Sequence, residues 1–185
     1  MNHRFQFKIK SAIVLCGMFG MLVAQADAMT RADFQAGKTR ISAEYKTNKA
    51  ACSTQSGNAR DICVEEAKGK EKVARAELEF GYTAKPADQT KLLVAKAESA
   101  YAIAKERCDD QSGNAKDVCV KEAKAAEVKA LADSKMGEQI RDARTEATDD
   151  KRDADYKVAV EKCDASSGDV KAACVAAAKS RFGKM

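Results

Sequence analysis

Along most of this chain the apolar positions recur with helical spacing. Phe34, Ile41 and Tyr45 form one stripe, and Ala67, Ala74 and Leu78 a second. Leu93, Ala97, Tyr101 (or Ala100) and Ala104 form a third, followed by Ala123, Ala126 and Ala130. Steps of three, four and seven put these side chains on one face of an α-helix. Charged residues fill the positions between. The pattern predicts an all-α chain of amphipathic helices with narrow, alanine-lined seams.

The first 28 residues follow a different rule. Met1 to Lys10 carries Arg4, Lys8 and Lys10 and no acid, and Ser11 to Val23 is an uncharged apolar run. Ala24-Gln25-Ala26 and Ala26-Asp27-Ala28 then offer two overlapping small-residue sites. This order reads as a secretory signal peptide over residues 1–28, cut after Ala26 or Ala28. The apolar run is too short for a permanent span, so no transmembrane segment is expected after cleavage. The implied destination is the periplasm.

The rest is one unit repeated three times. Cys52 to Val64 reads CSTQSGNARDICV, Cys108 to Val120 CDDQSGNAKDVCV, and Cys163 to Val175 CDASSGDVKAACV. The starts lie 56 and then 55 residues apart. Tyr45, Tyr101 and Tyr156 each stand seven residues before the first cysteine of their unit. These tyrosines are expected to plug the wide ends of the seams. Each unit reads as helix, tight turn, helix. Gly57, Gly113 and Gly168 suit a left-handed residue ending the first helix. Asn58, Asn114 and Asp169 suit the N-cap of the second, with Asp61 and Asp117 adding favourable charge to the first turn. The third unit has Ala172 at that place, which predicts a less well capped helix.

The cysteines stand about one and a half turns from each bend, at nearly equal height on facing helices. A C-x10-C pair can therefore close across each hairpin. The expected bridges are Cys52–Cys63, Cys108–Cys119 and Cys163–Cys174. The expected architecture is three tandem disulfide-stapled αα-hairpins, over residues 29–80, 81–136 and 137–185. Whether they form one bundle or an extended array is left open, as is oligomeric state. Phe80 to Lys85 followed by Pro86 reads as a break. The second junction offers only Gly137, so Cys119 to Cys163 could run as one helix. Residues 141–157 hold 11 charges of both signs and read as a solvated helix with weak ion pairs.

Composition sharpens this. Beyond residue 28 the net charge is +3, no histidine remains and six cysteines are left. Ile, Leu, Val and Phe total 21 of those 157 residues, against 32 alanines. Such thin cores need staples, and each bridge, closing about a dozen residues, contributes roughly 2–3 kcal/mol. Without histidine there is no histidine base, triad or metal ligand. C-x10-C is not a metal-ligand spacing, and the C-x-x-C of thiol oxidoreductases is absent. Asp109-Asp110 and Asp149-Asp150 are paired acids outside any calcium-loop pattern. Interleaved charges give no nucleic-acid stripe. No enzyme activity, cofactor or metal site is expected.

The bridged hairpin is similar to the twin C-x9-C proteins of the mitochondrial intermembrane space, though with a spacing of ten and one bridge per hairpin. The Ala/Lys/Glu/Asp-rich exported chain also resembles the TolA-like cell-envelope proteins of Gram-negative bacteria. That resemblance implies a role at the envelope and carries over no functional residue. The expected function is a non-catalytic, structural or protein-interaction role with a protein or envelope polymer as partner. Two further readings are a periplasmic metal-binding or redox stress protein using the six cysteines, and a holdase-like chaperone using the seams.

Overall fold

The computed structural model describes residues 29–184; the proposed signal peptide, with His3 and Cys16, lies outside them. Five helices follow one another: α1 (Arg31–Ala51), α2 (Gly57–Thr83), α3 (Pro86–Cys108), α4 (Gly113–Cys163) and α5 (Gly168–Phe182). A single 3-10 turn, Cys52–Thr54, follows α1. No strand occurs among the described residues. The fold is all-α and built of disulfide-stapled hairpins, as the periodicity requires.

Local sequence explains the helix ends. Thr30 opens α1 with a capping box: its Oγ1 accepts from the Asp33 N–H at 3.1 Å, and the Asp33 carboxylate accepts from the Thr30 N–H. Ala84, left-handed at φ 51°, stops α2, and Pro86 opens α3 after Lys85. Four alanines, Ala67, Ala95, Ala97 and Ala178, supply half of the buried apolar positions; Ile41 and three cysteines supply the rest. Such small side chains let helix axes approach closely, at the expense of buried area.

The three turns share one geometry, which corrects the expected caps. Ser56, Ser112 and Ser167, all extended, precede the second helices and provide no side-chain cap. Gly57, Gly113 and Gly168 are left-handed (φ 57°, 55° and 56°), but they open the second helix rather than end the first. Asn58, Asn114 and Asp169 lie inside the first turn and cap nothing. With the helix start one residue earlier, Asp61 and Asp117 fall beyond the first turn, whereas Asp169 falls within it. Of the three second helices, only that of the third hairpin thus carries an acid in its first turn.

Among the described residues each helix packs only on its neighbours in the chain, α1 on α2, α2 on α3, α3 on α4 and α4 on α5. The most extensive pairing, α2 with α3, joins two different repeats. Hairpins one and two therefore form a single layer. Hairpin three does not join it, because α4 runs unbroken for 51 residues, about 76 Å. Gly137 does not break α4: a helix-interior glycine costs only about 1 kcal/mol against alanine, and strong helix formers flank it. The first part of α4 ends its pairing with α3 near Arg141, which donates to the Thr90 hydroxyl. The last part pairs with α5 from Asp153, which meets Lys184. Residues 142–152 between them are exposed throughout, a solvated charged rod carrying an Arg152–Asp149 pair. The boundaries expected at 80/81 and 136/137 fall inside α2 and α4.

Candidate interaction surfaces

The bridges lie where spacing puts them. Cys52–Cys63, Cys108–Cys119 and Cys163–Cys174 have Cα separations of 5.6, 5.7 and 5.7 Å. The first cysteine of each pair is fully buried against the facing helix, while Cys63, Cys119 and Cys174 are half-buried. All six thiols are consumed, so none is available as a thiolate ligand or nucleophile in this form. Among the described residues no group of three or more His, Cys, Asp or Glu side chains is disposed to hold a metal.

Three of the four paired acids, Asp109, Asp110 and Asp149, have polar side-chain partners. Asp109 meets Lys116 across the second turn at 3.0 Å, and Asp164 meets Lys171 across the third at 2.9 Å. The first unit has Ser53 at that place, whose hydroxyl donates to the Ala50 carbonyl. Asp110 accepts from Asn58 at 2.8 Å.

The seam tyrosines are half-buried, and each finds a different neighbour. Tyr101 lies between α3 and α4, with the Lys124 ammonium 4.8 Å from its ring centre. The hydrogen bond to Glu127 holds the Lys124 pKa above its ordinary value, and the nearby Tyr101 adds to this. Tyr156 meets Phe182 of α5 edge-on at 6.1 Å. Tyr45 lies under Lys49 of its own helix, at 5.8 Å. At the other end of the first hairpin, Phe34 stacks on Tyr82 at 4.5 Å, a pair that the stripes did not single out.

The surface between repeats was not legible in the sequence. Gly69 of α2 sits against Ser99 and Ile103 of α3; a Cβ there would lie 3.2 Å from the Ser99 Cβ. Three ion pairs flank this contact: Lys72–Glu98, Lys96–Glu77 and Arg107–Glu66. Beside it runs an open groove of about 630 Å³ lined by Val73, Ala74, Ala100 and Ile103. At the turn end, the Asn58 amide donates to the Glu106 carbonyl at 2.9 Å as well as to Asp110. Its task is to satisfy the C-terminal turn of α3, not to cap α2.

The opposite end of this interface is tied at the α2–α3 junction. Buried Asp88 accepts from the Thr83 hydroxyl at 2.6 Å and from Lys91 at 2.7 Å. The Lys91 bond first, then Thr83, holds the Asp88 carboxyl below its ordinary pKa. Nothing about Asp88 marks it in the sequence except its place two residues after Pro86.

α4 also presents apolar residues to solvent. Val118, Val128, Met136 and Ile140 are each 44–54% exposed, and Val158 is 53% exposed. No helix of the described residues is long and apolar enough to cross a membrane. The groove between the repeats is open, lined by small and aliphatic side chains and flanked by ion pairs. Comparisons with protein-family models, with characterised proteins and with solved structures find no match to this chain.

Proposed function

We propose that this chain is a non-catalytic exported protein that acts in the periplasm as a structural or protein-interaction element of the cell envelope. The observation that carries this reading is the threefold bridged hairpin with all six cysteines paired. Disulfides of this kind persist in oxidising compartments, and the sequence of residues 1–28 supplies an address for one. The resemblance to TolA-like envelope proteins supports the same location. The extended helical faces, with exposed valine, methionine and isoleucine, suit the binding of another protein.

The test has two parts. Cells expressing the full sequence should carry the oxidised protein in the periplasm, beginning at Asp27 or Met29. Retention in the cytoplasm, or free thiols in the purified protein, overturns export. Crosslinking in intact periplasm with the bridges kept oxidised should then recover the same protein or polymer repeatedly. Recovery of nothing beyond what an unrelated exported helical protein recovers overturns the interaction role.

A further inference from the structure

The interface between α2 and α3 joins the second helix of one repeat to the first helix of the next. The chain contains both halves of that interface once more. One repeat on from α2 is the N-terminal part of α4, and one repeat on from α3 is its C-terminal part. Because α4 is continuous, these two halves lie on one rigid rod and cannot meet within a chain.

Residue by residue, the second set keeps the complementarity of the first. Gly69 becomes Ala125, and its neighbours Ser99 and Ile103 become Ala154 and Val158, so a small-on-small contact beside an aliphatic is retained. The pair Glu66–Arg107 becomes Glu122 and Lys162; Glu77–Lys96 becomes Asp133 and Lys151. Val73 and Ala100, both lining the α2–α3 groove, become Lys129 and Asp155, again of opposite sign. Only Lys72–Glu98 is not kept: Val128 replaces the lysine, and Asp153 is already held by Lys184. Among the described residues none of Glu122, Lys129, Asp133, Lys151, Asp155 and Lys162 has an ion-pair partner, although twelve other pairs form.

Both halves also point the same way. At about 100° per residue, Val118, Ala125, Ala132, Met136 and Ile140 fall on one side of α4, opposite the side holding Ser134 and Glu127 against α3. Val158, Ala154 and Lys151 continue that side within roughly 60°. In the charged rod between them, Ala143 and Ala147, the only alanines there, lie on the same line. All are exposed.

We propose that this face of α4 is covered by α4 of a second copy of the chain, antiparallel, about a two-fold axis near Asp142. Glu122 of each copy then faces Lys162 of the other, Lys129 faces Asp155 and Asp133 faces Lys151. The arrangement is isologous, with every contact made twice, and it reuses the α2–α3 geometry between chains. It has the logic of a domain swap: a break in α4 near Gly137 would let the same surfaces close within one chain, and the unbroken helix prevents it. This goes beyond the proposed envelope role and does not depend on it; a monomeric chain would leave the periplasmic capture experiment to stand or fall by itself.

The test uses the full chain purified with its bridges oxidised, in sedimentation velocity over a range of concentrations. A dimer that weakens as salt rises is expected. Glu122→Lys alone, or Lys162→Glu alone, should raise the dissociation constant at least tenfold. Both side chains are exposed, so helicity by circular dichroism should match the parent. An equimolar mixture of the two variants should dimerise like the parent. In the mixed dimer, one copy carries lysine at both positions 122 and 162 and the other carries glutamate at both, so each contact again joins opposite charges. Residues 122 and 162 stand about 60 Å apart on one helix, so this rescue can arise only between chains. A parent chain that stays monomeric, whether elongated or compact, overturns the proposal. So does a dimer indifferent to both substitutions, or a mixture that fails to recover.

Discussion

Replacing Cys163 and Cys174 together by alanine removes the bridge from the hairpin that has the least else to hold it. Among the described residues α5 touches no helix but α4. Its other tethers are buried Ala178, the Tyr156–Phe182 edge contact and two half-exposed ion pairs, Lys171–Asp164 and Lys184–Asp153. The aromatic pair contributes about 0.5–1.5 kcal/mol and each exposed ion pair about 0–1 kcal/mol. The bridge spans a sequence separation of 11, and closing such a loop restricts the open state by about 3 kcal/mol in the chain-entropy relation. It is the largest single term. A free helix of 15 residues is marginal in water, so α5 without its staple should open locally. Native-state amide exchange followed by mass spectrometry reads this directly. Peptides from residues 168–182 should lose protection by roughly a hundredfold in the double alanine variant, since about 1.4 kcal/mol is a factor of ten. Peptides from α2 and α3 should exchange as in the parent. Unchanged protection in α5, or equal loss in α2 and α3, would refute the view of hairpin three as a locally stapled unit.

Asn58→Ala should lower stability in urea by about 0.5–1.5 kcal/mol, because it removes one of the two donors to the Glu106 carbonyl, which keeps the Asp109 N–H, and the donor to the exposed Asp110 carboxylate at the turn end of the repeat interface. Gly69→Val places a branched side chain against Ser99 and Ile103 and should cost about 1–3 kcal/mol, read as a fall in Tm. Gly137→Ala, whose new Cβ would meet only the Arg141 side chain at 3.6 Å, should instead raise stability by up to about 1 kcal/mol. Asp88→Asn tests the junction through pH. The folded carboxyl titrates below its ordinary value of 3.8, so its ionised form stabilises the fold above that pH, and this contribution is lost as pH falls through the folded value. The variant should be less stable than the parent at pH 7, and the gap in Tm should close as pH drops from about 4 toward 2. A gap that persists at pH 2 would show that the loss is not tied to the charge.

The helices, the threefold repeat and the bridges are properties of local sequence. Apolar spacing of three and four dictates which face is buried, and a C-x10-C pair around a left-handed glycine has one near-level partner to reach, in each of three units. Those relations involve residues about a dozen apart, within reach of helix geometry alone. The caps misled because asparagine after glycine has the chemistry of an N-cap, and only the packed structure shows that Asn58 spends its amide on the neighbouring repeat. Tertiary structure likewise decided that α2 docks on α3, that Asp88 is buried at their junction, and that the third hairpin stands away from the other two. The physical reason is the shortage of large apolar side chains. When seams are lined by alanine and glycine, the hydrophobic pattern says which side of a helix is small but not which helix will lie against it. Close approach, a few ion pairs and one uninterrupted helix make that choice.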